Sequence, residues 1–369
     1  MTSSSESSVA ICHDYLTQRG GAERVVLTMT HALKEAPVHT ALFDPESTYP
    51  EFGMVDVRPG PLDRLPMVRS NHRWSLPLMA ASFGRTEISA DVTVCSSSGW
   101  AHGVGVTGRK LVYCHSPARW LHRPENYLEH FGPIPRVALR VARSRLLEWD
   151  RAAMASADVV VANSNTIAQQ IADVYGREAE VIAPSSPLMN PGVQSPIPTL
   201  EVAMNPEGFV LCVSRLLGYK HLDLLIEVAR LLPHRQFVVI GDGPHETQLL
   251  DVTPRNIKWL GVVDDAELRW CYKHATTLLS TSEEDFGLTP LEAAAYGTPS
   301  VVPGARGYLD HVAEGVSGLF HDGSPLVCAD VIEDAASRSW DHDEIVAHSR
   351  LFGSDIFMKQ ILNLVDELR

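Results

Sequence analysis

Residues 280–303 read STSEEDFGLTPLEAAAYGTPSVVP, and this stretch decides the fold. β-prone residues come just before it at 277–279 and end it at 300–302. Between them, apolar residues recur at helical spacing from Thr289, and Gly297 is the residue type that commonly ends a helix. The pattern predicts a strand, a loop, a short helix and a second strand, as in a parallel α/β sheet.

Two glutamates flank the start of that predicted helix. Glu284 lies in the loop and Glu292 in the helix. The first N–H groups of a helix have no partner within it, so residues 286–289 can offer them to an anionic or hydroxyl-rich ligand. Two acids at this spacing are also what a solvated loop and helix carry, so the spacing alone does not establish a site.

The composition is that of a globular protein large enough for two domains. The chain has 369 residues, 45% hydrophobic and 21% charged, and a formal net charge of −14. This acidic balance argues against nucleic acid as a partner. No run approaches the roughly 18 apolar residues of a membrane span, and the start MTSSSESS is too polar for a signal peptide, so we expect a cytoplasmic protein. The six cysteines lack C-x-x-C spacing and are expected to be reduced.

Apolar runs alternate with helical segments along the chain, which predicts α/β domains with doubly wound parallel sheets. Prolines recur between 184 and 206 without periodicity and indicate a connection. We therefore expect domains at 1–190 and 191–353, with the apolar face of the last helix, 354–369, packed back on the first domain. The predicted strands cover 9–12, 38–43, 91–96, 111–114, 158–162, 180–183, 209–213, 237–240 and 257–260, besides the two at 277–279 and 300–302.

The first predicted strand leads into a glycine turn. The sequence HDYLTQRGGAERV places Gly20 and Gly21 before a helix predicted over 22–33. Paired glycines let a ligand approach the backbone closely, and a helix start favours negative charge, as a phosphate site requires. A plain tight turn explains the glycines equally well.

Polar residues also follow later strands. His115 ends a predicted strand in YCHSPARWLH, and ligands of open α/β sheets bind at the carboxyl ends of strands, although a lone histidine there is more often structural. Arg215 and Lys220 follow the first strand of the second domain, where a guanidinium fork and a compact ammonium could neutralise a diphosphate without a metal. Basic loop residues are, however, usually just solvated. Gly241 and Gly243 form a GDGP turn after the next strand.

In this order, the elements resemble the retaining glycosyltransferases of family 4, which have the GT-B fold of two Rossmann-like domains facing a cleft. The resemblance rests on HDYLTQRGGAERV, YCHSP, the R-x4-K loop, GDGP and E-x7-E. It implies transfer of a sugar from a nucleotide-diphosphate donor to a saccharide, lipid-linked or small-molecule hydroxyl that enters mainly against the first domain. HDYLTQRGGAERVV and YCHSP are most similar to bacterial mannosyltransferases that use GDP-mannose.

The resemblance also implies residue roles. The predicted catalytic residues are His115, which would face the donor sugar, Arg215 and Lys220, which would bind the leaving diphosphate, and Glu284, which would hold sugar hydroxyls. Asp14 is expected on the acceptor side. The predicted donor-binding residues are Gly20, Gly21, Gly241, Gly243, Phe286, Gly287, Leu288, Thr289 and Glu292, the last of which would hold the ribose.

Two other motifs are set aside. Residues 103–108 match G-x-G-x-x-G, but they precede a strand instead of opening a helix. The D-x-D at 341–343 has the spacing used by metal-dependent glycosyltransferases of the other main fold, yet it lies in a polar connection far from any strand end. We therefore expect neither a metal nor another cofactor.

Two alternatives and one surface remain open. A nucleotide-sugar 2-epimerase would share the fold and the diphosphate site, and a non-catalytic nucleotide-sugar binding protein would share the binding residues. Within 134–151, four arginines lie on one helical face, which is either a solvated face or a contact for the inner face of an anionic membrane. They are Arg136, Arg140, Arg143 and Arg151.

Overall fold

The computed structural model describes residues 8–65, 76–122, 133–201 and 208–369. The chain divides into two compact units. One comprises the residues up to Pro184 together with Asp355–Arg369, and the other comprises Ser185–Ser354. Each unit is built on its own parallel sheet.

The first unit contains a seven-stranded parallel sheet in the order β3-β2-β1-β5-β7-β8-β9. Its strands, with the separate pair β4 and β6, are β1 Val9–His13, β2 Val38–Thr40, β3 Val57–Pro59, β4 Glu87–Ile88, β5 Val92–Ser97, β6 Gly105–Val106, β7 Arg109–Cys114, β8 Val159–Ala162 and β9 Glu180–Val181. Its helices are α1 Gly21–Ala32, α2 Leu76–Phe83, α3 Arg119–His122, α4 Pro133–Ala155 and α5 Asn165–Tyr175, and the last helix of the chain, α14 Ser354–Leu368, also packs here except for its first residue.

The second unit contains a six-stranded parallel sheet in the order β12-β11-β10-β13-β14-β15. Its strands are β10 Phe209–Val213, β11 Phe237–Ile240, β12 Ile257–Gly261, β13 Ala275–Leu279, β14 Ser300–Pro303 and β15 Gly318–His321. Its helices are α6 Pro198–Glu201, α7 Leu222–Leu231, α8 Glu246–Leu250, α9 Asp265–His274, α10 Thr289–Ala294, α11 Tyr308–His311, α12 Pro325–Ser337 and α13 His342–Ser349.

The central strands are buried on both faces, which is why they read as unbroken apolar runs. In β10, Val210 and Cys212 pack into one core while Phe209 and Leu211 pack into another. Successive side chains of a strand point to opposite faces, so the two cores lie on the two sides of the sheet. The prediction of two domains with doubly wound parallel sheets is confirmed.

The division between the units falls earlier than the sequence predicts, after Pro184 instead of after Asn190. Residues 185–201 are not a free connection. Ser186 donates a hydrogen bond to Glu292, and Leu188 lies in a core of the second unit. The proline spacing hides this because single buried contacts, not periodicity, attach the segment.

Sequence reasoning also overextended two strands, at 38–43 and 180–183, and missed others. The strand predicted at 38–43 ends at Thr40, because Leu16 pairs with Phe43 in an isolated bridge outside the main ladder. The edge strand Val57–Pro59 was missed, since its VRP sequence carries neither an apolar run nor an alternation. Gly318–His321 was missed because it begins with glycine and ends with histidine.

Candidate active site

In the second unit, two predicted site residues meet at the carboxyl ends of neighbouring strands. Lys220 follows β10 and Glu284 follows β13, and Lys220 Nζ forms an ion pair with Glu284 Oε1. The same oxygen accepts a hydrogen bond from Ser282 Oγ at 2.8 Å, and Thr281 Oγ1 donates to the Lys220 carbonyl at 2.7 Å. The lysine and glutamate side chains remain 14% and 22% exposed. A ligand can therefore reach a pair whose geometry is already fixed.

Arg215 lies on the same loop as Lys220. Its guanidinium donates to the Tyr219 hydroxyl at 2.9 Å. Gly241 explains the path of this loop, because its φ of +130° suits glycine and an added Cβ would lie 2.0 Å from the Ser214 carbonyl oxygen. A Cβ on Gly243 would likewise lie 2.5 Å from the Leu216 carbonyl oxygen. Both glycines thus allow the GDGP turn to pack against the loop that carries Arg215 and Lys220. Contact between these glycines and the sugar donor stays a prediction.

The loop before α10 is fixed by contacts with residues 306–311. Gly287 has a φ of +86°, and a Cβ there would meet the Tyr308 ring at 2.3 Å. Gly307 N–H donates to the Glu284 carbonyl at 3.1 Å, and His311 Nε2 donates to the Phe286 carbonyl at 2.9 Å. Phe286 is buried, and Leu288 and Thr289 begin the helix with Pro290 in its first turn. The N–H groups of this loop therefore occupy fixed positions.

Glu292 is more enclosed than the sequence indicates. It is only 3% exposed, and its two carboxylate oxygens accept hydrogen bonds from Ser186 Oγ at 2.5 Å and Tyr272 Oη at 2.6 Å. Each carboxylate oxygen can accept a further hydrogen bond, so ribose binding by Glu292 stays a prediction. The observed contacts give the residue a structural role as well.

In the first unit, His115 joins a chain of hydrogen bonds at the carboxyl ends of β1, β5 and β7. Its Nε2 lies 2.8 Å from Ser96 Oγ, and His13 Nδ1 lies 3.1 Å from both the hydroxyl and the carbonyl oxygens of Ser96. Burial, and then the proximity of His13, lower the pKa of His115 to about 3. His115 is therefore a neutral imidazole at physiological pH. Sequence reasoning missed Ser96 and His13, although each is a polar residue at the end of an apolar run.

Asp14 is committed to the loop that follows β5. The residue is buried, and its carboxylate accepts hydrogen bonds from the N–H groups of Ser98 at 2.6 Å, Trp100 at 3.1 Å and Ala101 at 2.6 Å. The structure thus explains Asp14 as the residue that shapes this loop. An acceptor contact through it stays a prediction.

The glycine turn before α1 contains a charge that the sequence argument overlooked. Glu23 is buried in the first turn of the helix, and its Oε1 accepts a hydrogen bond from Gln18 Nε2 at 2.9 Å. An added Cβ at Gly20 would lie 2.4 Å from Glu23 Oε2, which accounts for the glycine. A carboxylate therefore already occupies the helix start at Gly20 and Gly21 that was assigned to a phosphate, and diphosphate binding there stays a prediction.

A second buried polar cluster, which we call the Asp150 cluster, was not anticipated. It comprises Asp150, His102, His122 and Ser97. Asp150 is fully buried, with its oxygens 3.1 Å from His102 Nε2 and 2.8 Å from His122 Nε2. Burial alone would raise the pKa of Asp150, but the hydrogen bonds from His102 and His122, followed by their electrostatic attraction, lower it to about 2. Ser97 Oγ lies 2.8 Å from His102 Nδ1 and completes the cluster.

Asp341 of the D-x-D caps α13 by accepting N–H bonds from Asp343 and Glu344. Within the described residues, no group of three or more His, Cys, Asp or Glu side chains is arranged to bind a metal ion. All six cysteines are buried free thiols. No described helix combines the length and apolar character needed to cross a bilayer.

The arginine face of α4 is only partly described. Arg143 Nε donates to the Leu121 carbonyl at 3.2 Å, and Arg151 is exposed. The side chains of Arg136 and Arg140 lie outside the described residues. Membrane contact through this face stays a prediction.

Comparison with known proteins agrees with this arrangement. The model of the family Glycosyltransferase Family 4 matches residues 19–185, and that of Glycosyl transferases group 1 matches residues 201–342. A D-inositol 3-phosphate glycosyltransferase of Mycolicibacterium smegmatis is 26% identical over 350 residues, covering 86% of this chain and 79% of that protein. The enzyme of the same name from Salinispora tropica is 26% identical over 405 residues, with coverage of 94% and 81%.

Solved structures share the fold along nearly the whole chain. Anabaena Alr3699/HepE, in complex with UDP-glucose, has a TM-score of 0.69 at 20% identity, covering 98% of this chain and all of that chain. Sucrose-phosphate synthase from Thermosynechococcus elongatus has a TM-score of 0.68 at 16% identity, with 98% and 99% coverage.

The fold and these matches define the protein as a glycosyltransferase of the hexosyltransferase type. The two family models and the relatives support a GT-B member of glycosyltransferase family 4. The sequence predictions of the GT-B fold and of a glycosyltransferase are thereby confirmed.

Proposed function

We propose that the protein transfers a hexose from a nucleoside-diphosphate sugar to an acceptor hydroxyl with retention of the anomeric configuration. The observation that carries this proposal is the Lys220–Glu284 ion pair, which places a cation and a carboxylate together at adjacent strand ends with Arg215 on the same loop. A diphosphate and a sugar are the two chemical parts that such a pair can bind. The five sequence motifs that resemble family 4 support the same assignment.

The proposed chemistry divides between leaving group and sugar. Cleavage of the bond between the anomeric carbon and the diphosphate oxygen places negative charge on the diphosphate, and Arg215 and Lys220 stabilise that charge. Glu284 and the N–H groups of residues 286–289 orient the sugar hydroxyls. The acceptor oxygen attacks the same face that the diphosphate leaves, and its proton passes to a phosphate oxygen. This series of steps needs neither a protein nucleophile nor a metal.

For the donor, we propose GDP-mannose, on the resemblance of the first-unit motifs to mannosyltransferases. UDP-glucose is the matched competitor, because HepE has the same fold and was crystallised with it. For the acceptor, the names of the relatives suggest a phosphorylated polyol, and a saccharide or lipid-linked hydroxyl is the wider class.

The test combines binding with product analysis. Purified full-length protein is screened by thermal shift against GDP-mannose, UDP-glucose and other nucleotide sugars, since a ligand at 100 times its Kd stabilises by about 2.7 kcal/mol. The donor that binds is then incubated with inositol 3-phosphate and with simple saccharides, and the product's anomeric configuration is read by NMR. An inverted product would overturn retention. Epimerisation of the donor without acceptor, or binding without any transfer, would replace the proposal with one of the two alternatives.

A further inference from the structure

Two adjacent serines on β5 each contact a histidine, and the contacts differ in a way that fixes proton positions. Ser96 lies against His13 and His115, whereas Ser97 lies against His102. All of these side chains are buried. A buried hydroxyl has one proton to donate. If a histidine nitrogen accepts that proton, the nitrogen must itself be unprotonated, and a neutral ring then carries its proton on the other nitrogen.

The carbonyl oxygen of Ser96 fixes the proton positions on His13, Ser96 and His115. His13 Nδ1 lies 3.1 Å from the Ser96 carbonyl oxygen, which can only accept, so His13 Nδ1 carries a proton. The same N–H also reaches Ser96 Oγ at 3.1 Å, so that hydroxyl accepts from His13. The Ser96 hydroxyl proton is then directed to His115 Nε2, which is 2.8 Å away. His115 Nε2 is therefore the acceptor.

We propose that Ser96, oriented by His13, is a positioning residue that holds the ring proton of His115 on Nδ1 and so makes His115 a neutral hydrogen-bond donor to substrate. Burial keeps the ring from taking a second proton at physiological pH, as its lowered pKa indicates. Nδ1 has no hydrogen-bond partner among the described residues, and His115 retains 9% of its surface exposed. The ring proton is thus available to an oxygen of a bound substrate, which is a role that rests on the proposed function.

Ser97 imposes the opposite arrangement on His102. Asp150 Oδ1 lies 3.1 Å from His102 Nε2, and an ionised carboxylate only accepts, so Nε2 carries a proton. Ser97 Oγ accepts from Gly99 N–H at 3.1 Å and has its own proton to donate to His102 Nδ1 at 2.8 Å. On a neutral His102 ring the single proton is therefore on Nε2, which faces Asp150. One strand therefore fixes two histidines in opposite tautomers, and the second provides an internal standard for the first.

The first measurement is the tautomeric state itself. Full-length protein labelled with ¹⁵N-histidine is studied by long-range ¹H–¹⁵N correlation, in which the two neutral tautomers give different patterns. His115→Gln and His102→Gln identify the two sets of signals. We expect the proton on Nδ1 of His115 and on Nε2 of His102. A wild-type spectrum with the His115 proton on Nε2 would overturn the proposal.

The second measurement links the tautomer to transfer. Ser96→Ala removes the hydroxyl, and we expect a mixed His115 tautomer with kcat reduced about 10-fold to 100-fold, the range found when the outer hydrogen-bond partner of a metal-binding histidine is removed. Ser96→Thr restores a hydroxyl and should recover the Nδ1–H pattern and much of kcat. The matched control Ser97→Ala deletes an equally buried hydroxyl on the same strand, and it should change the His102 signals while leaving those of His115 and the rate of transfer as in wild type.

The outcomes separate this proposal from the proposed function. A Ser96→Ala protein that melts like Ser97→Ala and keeps both the His115 pattern and wild-type kcat would overturn the proposal, as would a changed tautomer with no loss of transfer. The expected wild-type spectrum from a protein that transfers sugar from no donor would support the tautomer assignment and count against the proposed function instead.

Discussion

The Asp150 cluster of the first unit and the Lys220–Glu284 pair of the second both hold a carboxylate against basic side chains, but they differ in what they leave open. Asp150 is fully buried, and each of its oxygens is bonded to a histidine. Glu284 and Lys220 remain partly exposed at a strand end. The difference indicates that the Asp150 cluster, a closed cluster, stabilises the fold, whereas the Lys220–Glu284 pair, an open pair, is arranged to receive a ligand.

The largest expected effect tests the open pair. Arg215→Ala or Lys220→Ala should reduce transfer about 100-fold to 1,000-fold, because each removes a donor to the charge that develops on the diphosphate. The free energy of unfolding should fall by about 1–3 kcal/mol at most, because in Lys220→Ala the Glu284 carboxylate loses one donor but keeps the hydrogen bond from Ser282. Both are measured by steady-state transfer assays and by thermal melting of the same preparations.

The matched control for these variants is Arg235→Ala. Arg235 also forms an ion pair in the second unit, with Glu333 at 2.9 Å. It lies just before β11, however, at the amino-terminal ends of the strands, away from the carboxyl ends that carry Lys220 and Glu284. Its loss should leave transfer unchanged. If Lys220→Ala melts like wild type and keeps more than about a third of wild-type transfer where a 100-fold loss is expected, the diphosphate site is misassigned.

The closed cluster should respond in the opposite way. Asp150→Ala leaves the buried N–H groups of His102 and His122 without their acceptor, and each unsatisfied donor costs about 1–3 kcal/mol. We therefore expect a loss of about 3 kcal/mol in the free energy of unfolding, measured by urea denaturation. The control Asp56→Ala removes an exposed carboxylate paired with Arg58 in the same unit and should cost under about 1 kcal/mol. Equal losses in the two variants would contradict the comparison.

The two regions also differ in how far the sequence could predict them. Lys220 and Glu284 were found because each follows an apolar run, and parallel strands bring their carboxyl ends to one edge. Asp150 was missed because it lies within α4, where nothing local distinguishes a buried aspartate from a solvated one. Its partners His102 and His122 come from other segments, so only the fold brings the three together.

Glu292 shows the same division, because its helix was predicted from the sequence but its burial was not. Its helix was predicted from apolar spacing, and the structure places that helix at Thr289–Ala294. Its burial by Ser186 and Tyr272 depends on residues 106 and 20 positions away, which no local pattern reveals. Fold class and strand-end residues are thus readable from the sequence, whereas the enclosure of a charge is set by distant contacts.

The pH dependence of stability sharpens the description of the closed cluster. The pKa of Asp150 is lowered to about 2 in the folded protein from an ordinary value near 3.8. A depressed carboxyl pKa contributes stability that is present above the unfolded pKa and is lost as pH falls through the folded one. The contribution, about 2 kcal/mol, should therefore disappear between about pH 4 and pH 2. Urea unfolding of wild type and Asp150→Asn across this range should show their difference shrinking, and a constant difference would contradict the assignment.

A smaller effect is expected at Glu292, which combines features of both regions. Glu292→Gln keeps the side-chain shape but removes the charge, and it should weaken binding of free nucleoside diphosphate about 10-fold if the carboxylate also accepts from the ribose. Glu284→Gln should instead lower turnover more than nucleotide affinity. Calorimetric titration of both variants with the nucleotide provides the measurement. Equal affinities of wild type and Glu292→Gln would refute the ribose role.

The smallest expected effect is none at all, and it tests whether the open pair is sufficient by itself. Lys220 and Arg215 supply cationic hydrogen-bond donors on one loop, the role that a divalent ion would otherwise have at a diphosphate. Transfer should therefore proceed at the wild-type rate after exhaustive dialysis against EDTA and assay in chelator. The control is Lys220→Ala assayed with and without magnesium, because a site that depends on protein cations should not be rescued fully by added metal. Activity that vanishes in EDTA and returns with magnesium or manganese would show that the cations do not act alone and that the open pair is only part of the diphosphate site.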